Sequence, residues 1–228
     1  MAKSKKRSAR SKSSPKRARK PVSRKSSVRK SARKAVKKTK RAKAAVKAKH
    51  AKKITVSGVA NLLITYDPNH KGTAEKEVLG AFNSIKHDIK MLGSDVEGLF
   101  RTKVGDARKA VSQLRQLCKS KPGMFNVTHH YTPIDSWCRS ELKDMQAIIR
   151  KVSAGIRDSE KWRMKLNKRH WDKLDGTKLI MALTEVVSKP KVDLDSPDKI
   201  IQVEIVGKNA GISLLGANEA LDVPKMRV

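Results

Sequence analysis

The run EKWRMKLNKRH, Glu160 to His170, is where this sequence offers the most chemistry. In an extended chain successive side chains point to opposite faces, so Trp162, Met164 and Leu166 form an apolar line while Arg163, Lys165 and Asn167 form a polar, cationic one. Lysine and arginine in such a row suit phosphate oxygens, which they hold without reading a base. Arg163, Lys165, Lys168 and Arg169 are the candidate phosphate contacts, with His170 beside them and Lys199 and Lys208 as further cations. Trp162 shares the apolar line and is expected in a core. Trp171, just beyond the strand, is the candidate platform for stacking an unpaired base. Taken alone, a basic strand face is more often merely solvated.

Other chemistry is poorly served. Asp193, Asp195 and Asp198 suggest a cation site only weakly: Asp195 to Asp198 around Pro197 reads as a turn, and a hard cation needs more oxygen ligands than the three supply. Glu204 falls inside a β-branched run and is expected to pair with a neighbouring base. His129 and His130 are adjacent, so in a strand they face opposite ways and cannot easily share a metal. NHKGTAEKE contains Gly72 but not the spacing of a phosphate-binding loop. No nucleophile has an adjacent base, and no glycine-rich loop suits acetyl-CoA or a dinucleotide. The expectation is a protein with no metal, no cofactor and no catalysis of its own.

Elements must position that strand. Ala60 to Asp67 reads as a short buried strand. TAEKEVLGAFNSIKHDIKML reads as a helix with Val78, Phe82, Ile85, Ile89 and Leu92 on one face and acids in its first turn. A strand near Leu99 to Val104 follows, then a helix capped by Asp106 with Val111, Leu114, Leu117 and Cys118 inward. GMFNVTHHYT supplies a third strand. Ser136 is placed as the cap of a helix whose body runs from Lys143 to Ile149. After the Glu160–His170 strand, DGTKLIMALTEVVSK is an amphipathic helix with Leu179, Ile180, Leu183, Val186 and Val187 inward, stopped by Pro190. Short extended KVDL, a turn at DSPDK, the strand IIQVEIV, a turn at Gly207 to Asn209 and the strand AGISLL complete the order. Strands alternating with helices indicate an α/β (α+β) fold.

The charge is unevenly spread. Residues 1–53 hold 25 of the 54 Lys and Arg and none of the 21 acids, so this segment carries +25 of the net +33. All eight aromatic residues lie beyond it. Without apolar surface to offset ordering entropy, the segment is expected to be a disordered tail that binds nucleic acid nonspecifically by counterion release. PKRARK also has the composition of a nuclear address. Two cysteines at no metal-ligand spacing indicate a reducing compartment. No apolar run approaches the ~20 residues that span a bilayer. A cytoplasmic protein is expected, nuclear or nucleolar if eukaryotic, with no membrane partner.

KVDLDSPDKIIQVEIVGKNAGISLL, Lys191 to Leu215, closely resembles the terminal signature of the THUMP domain. KWRMKLNKRH is similar to that family's strand ending in a basic pair, and GTKLIMALTEVV to the helix between them. The resemblance covers roughly Thr132 to Val223, and Ile54 to Tyr131 looks like the ferredoxin-like domain that often accompanies it. After the basic tail over 1–53, it implies a ferredoxin-like α/β domain over 54–131 and a THUMP RNA-binding domain over 132–228. The family serves 4-thiouridine synthetases, tRNA methyltransferases, some pseudouridine synthases and a stand-alone adaptor of tRNA cytidine acetylation, and it is thought to hold the tRNA acceptor end. With no catalytic domain following, the sequence is most similar to the adaptor. That likeness implies tRNA and a tRNA acetyltransferase as partners, but it says nothing of the basic tail. The rival expectation is a nucleic-acid-packaging or ribosome-associated protein that binds mainly through residues 1–53.

Overall fold

The computed structural model describes residues 59–227, and the basic tail expected over 1–53 lies outside them. The fold is mixed α/β, built on two sheets. Among the described residues no helix is long and apolar enough to cross a membrane.

The first sheet begins with β1 (Leu62–Tyr66), after which α1 (Lys71–Ser84) turns Ala74, Val78, Ala81 and Phe82 inward. The helix stops at Ser84 because Lys86 takes a left-handed backbone (φ 54). His87 N donates to Phe82 O and Lys86 N to Asn83 O, which closes the last turn in a Schellman motif. Ile89 and Leu92 therefore do not continue the helix, as their spacing predicts; they lie in β2 (Ile89–Leu92), antiparallel to β3 (Leu99–Val104). The first turn of α1 carries no acid either. Glu77, one turn further on, instead accepts from the backbone N–H groups of Asn126, Val127 and Thr128. Asp106 caps α2 (Ala107–Ser120) by accepting from Lys109 N, and Ala110, Val111, Leu114 and Cys118 face the sheet. β4 (Thr128–Pro133) then pairs with β1.

The resulting order, β2-β3-β1-β4, is that of a ferredoxin-like sheet with both helices on one face. A fifth strand, β9 (Leu221–Asp222), arrives from the far end of the chain and pairs with β4. Leu221 and Val223, the latter opening the short helix α5 (Val223–Met226), are fully buried in this first core. The 131/132 boundary falls inside β4.

The second sheet runs β5-β8-β7-β6. Its first strand is β5 (Ser136–Arg139), where the sequence suggested a helix cap at Ser136; its residues pair with β8, Trp137 opposite Gly211. α3 (Leu142–Ser153) starts only after Glu141. β6 (Trp162–Arg169) lies parallel to β7 (Lys199–Val206), which turns at Gly207 (φ +57) into antiparallel β8 (Asn209–Gly216). α4 (Gly176–Thr184), capped by Asp175, ends well before Pro190. Met145 and Ile149 of α3 and Leu179 and Leu183 of α4 cover Trp162, Ile201, Val203 and Ile205.

The faces that the helices leave uncovered meet through a smaller cluster of Ala60, Leu63, Leu99 and Ile134 with Trp137 and Val206. Trp137 Nε1 donates to Ala60 O at 2.6 Å, and Arg101 lies 5.6 Å from the centre of its indole ring. Gly211 permits this approach, since a Cβ there would fall 2.9 Å from Ile134 Cγ2.

Candidate nucleic-acid interface

Alternation along β6 sends Met164 and Leu166 to the helix-covered side, beside Trp162. Arg163, Lys165, Asn167 and Arg169 line the other face, opposite Ile200, Gln202, Glu204 and Val206 in the parallel register. Four of these make one polar network. The Glu204 carboxylate, whose side chain is 4% exposed, accepts from Asn167 Nδ2 at 2.6 Å and Gln202 Nε2 at 2.7 Å through one oxygen. Its other oxygen accepts from Arg169 Nη1 at 2.7 Å. The base expected beside Glu204 is thus Arg169, which this bond keeps at 24% exposure. Arg163 Nη1 donates to Leu194 O at 2.7 Å. Lys165, half-exposed between these two arginines and facing Gln202, stands outside the Glu204 network.

The first sheet contributes to the same space. Thr65, His130 and Asp222 form a row across β1, β4 and β9. Thr65 Oγ1 lies 3.1 Å from His130 Nδ1, and His130 Nε2 lies 3.6 Å from an Asp222 oxygen. The imidazole's pKa is lowered, first by burial, with Asp222 opposing and Lys165 and His129 reinforcing; Glu204 opposes more weakly. Lys165 and Glu204 of the second sheet therefore act on His130 of the first. The lowered folded value means the folded protein resists protonation at this site. Stability from His130 is full above its unfolded pKa near 6.5 and is lost as pH falls through the lowered folded value. Denaturant midpoints measured from pH 7.5 downward should fall less steeply for His130→Asn than for the parent chain.

The other sequence candidates scatter. Lys168 is exposed at the end of the helix-covered side, its Nζ donating to Leu174 O at 3.0 Å. His170 is exposed with a left-handed backbone (φ 52) that turns the chain out of the strand. Lys208 is exposed in the β7–β8 turn, near the same end of the sheet. Lys199 sits at the opposite end, on the helix side with Ile201, within 4.0 Å of Glu160. Trp171 offers no platform. It is 6% exposed in the second core and donates its Nε1 to Ser140 O at 3.0 Å, because the left-handed turn at His170 folds it inward. Trp162 is core, as its alternation predicts.

Asp193 closes a turn over residues 193–196, which ends just before Pro197 and begins two residues ahead of the turn expected from Asp195 to Asp198. One oxygen accepts from Asp195 N and Ser196 N and the other from Lys161 Nζ, and these bonds, Lys161 first, pull its pKa down to about 2. Cys118 and Cys138 are both free, and burial pushes the Cys138 thiol up to about 12. Sequence reasoning missed the bonds of Gln202 and Asn167 to Glu204 and the pairing of Thr65 with His130. The polar alternation inside IIQVEIV was the available signal for Gln202; the meeting of the two sheets had none.

The pattern that defines the THUMP domain matches residues 139–215, from the last residue of β5 to the penultimate residue of β8. The chain carries a THUMP domain, and the matched residues take in β6, β7 and nearly all of β8 of the second sheet. Among solved structures, PH1313 from Pyrococcus horikoshii superposes with a TM-score of 0.54 at 13% identity, over 71% of this chain and 54% of that one. TrmN from Thermus thermophilus gives 0.46 at 12% identity, over 67% and 44%. A 4-thiouridine synthetase in complex with RNA and ATP gives 0.42 at 11%, over 72% and 42%. The chain spans about half the length of these proteins, and at such identities the likeness of the first is one of fold. No curated protein matches the chain in sequence.

Proposed function

We propose that this chain is a noncatalytic tRNA-binding protein that presents tRNA to a modifying enzyme, a tRNA cytidine N-acetyltransferase. A THUMP domain implies RNA binding in tRNA modification. The observation that carries the proposal within that class is the helix-free face of β6, where half-buried Arg163, Lys165 and Arg169 stand in one row on the sheet. Glu204 holds Arg169 in place, so Lys165, with Arg163 beside it, is the cation most available to a phosphate. Contacts of this kind fix the RNA's position, and the choice of nucleotide falls to the partner enzyme. Residues 1–53, at +25, raise the rate of encounter with any nucleic acid.

Lys165→Glu, made in a chain starting at Val56 so that the basic segment cannot mask it, should weaken tRNA binding about tenfold and reduce the salt slope by about one. Unchanged affinity in a variant with parental circular dichroism would remove β6 from the interface. If removing the basic segment abolishes all tRNA preference, the rival packaging function stands instead. Incubated with tRNA, acetyl-CoA and ATP, the chain alone should yield no acetylcytidine, and adding the acetyltransferase should restore it. Product formed by the chain alone would make it the enzyme.

A further inference from the structure

β6 is the last strand of its sheet, and its outer edge is almost bare. Trp162 N donates outward to Lys191 O, and Asp193 N donates to Trp162 O, both at 2.9 Å, so that Val192 forms a one-residue parallel bridge. By the same alternation the N–H and C=O groups of Met164, Leu166 and Lys168 also point outward, away from β7. Among the described residues these three rungs carry no β partner. The bridging segment cannot continue along them because the turn held by Asp193 carries it away, and Arg163 ties down Leu194 O.

An open edge invites a strand, and proteins commonly blunt it with charge. Here the edge strand bears Arg163, Lys165, Lys168 and Arg169, which sets cation against cation if a second copy of β6 lies alongside. The same cations favour an acidic occupant. A phosphodiester chain would answer the three N–H groups but set its oxygens against the three carbonyls, whereas a peptide strand supplies donors and acceptors in alternation. Its side chains would alternate between half-buried Met164 and Leu166 on one side and Arg163 and Lys165 on the other. The chain's own bridge has that pattern: Val192-Asp193-Leu194-Asp195, with Asp193 paired to Lys161 Nζ at 2.8 Å and Val192 and Leu194 60% and 67% exposed.

We propose that the free edge of β6 binds an extended protein segment of alternating apolar and acidic residues by strand addition, widening the THUMP sheet. This does not depend on RNA binding by the β6 face, since it uses the outward backbone groups.

The test uses the full chain and a nine-residue peptide alternating Val or Leu with Asp or Glu, against a scramble of equal composition. Any acidic peptide is drawn to residues 1–53, so the difference between the two is what counts. The alternating peptide should bind about tenfold tighter, and N-methylation of every second residue should abolish that advantage in one frame and spare it in the other. On binding, amide exchange measured by NMR should slow at Met164, Leu166 and Lys168 and stay unchanged at Arg163, Lys165 and Asn167, which already pair with β7. Equal binding of the scramble, or equal loss in both N-methyl frames, overturns the proposal. So does slowing of the same three amides by a short RNA and not by the peptide, which would give the edge to nucleic acid.

Discussion

Ending the chain at Ala220 is expected to melt the first sheet while the second keeps its protection. Leu221 and Val223 are fully buried in the core beneath α1 and α2. Burial of two such side chains is worth about 3–6 kcal/mol together, out of a typical ~5–15 kcal/mol for a whole domain. The truncation also removes the β9 ladder on β4 and the bond from Arg227 to Phe125 O. It strips Arg115 of Met226 Sδ, leaving that guanidinium only its bond to the new terminal residue. The core beneath α3 and α4 uses none of these residues. Hydrogen exchange should therefore accelerate strongly in β1 and β4 and much less in β7 and β8. Parental protection in β4 after truncation would show that β9 is an ornament of the sheet.

That strand was also the hardest part of the fold to read from sequence. ALDVPKMRV has no periodicity long enough to name an element, and its pairing with β4 spans some ninety residues of chain. Local patterns served where they were strong: the alternation of β6, the Asp106 cap and the buried stripe of α2. They misled where two periods fit the same residues. Ile89 and Leu92 suit a helical face three apart, and only the left-handed Lys86 and the partner strand β3 decide for a strand. Ser136 is a good cap by type, yet Trp137 next to it packs between sheets. At the candidate site the row Arg163, Lys165, Arg169 was legible because it depends on one strand. The burial of Trp171, the isolation of Lys199 and the approach of His130 depend on how distant elements meet, which no local spacing encodes.

Replacing Glu204 of β7 with alanine should be the most costly single change on the helix-free face of the second sheet. Three donors converge on this carboxylate, and Asn167, Gln202 and Arg169 would lose their common acceptor at once. Removing one partner of a buried ion pair costs about 3–5 kcal/mol; because Arg169 is partly exposed and can turn to solvent, about 3 kcal/mol is expected here. For a chain of this size that lowers Tm by about 6–12 °C. Glu204→Gln keeps the shape but turns one acceptor into a donor that faces other donors, so it should recover only part of the loss. The same variants separate holding from mere charge in RNA binding. Without Glu204 the row gains a net positive charge, so affinity for any duplex should rise, whereas preference for tRNA over a charge-matched duplex should fall because Arg169 is no longer fixed. Competition binding at two salt concentrations reads both quantities. A preference that survives the loss of Glu204 would mean that the row acts as bulk charge, and that the buried carboxylate serves the sheet alone.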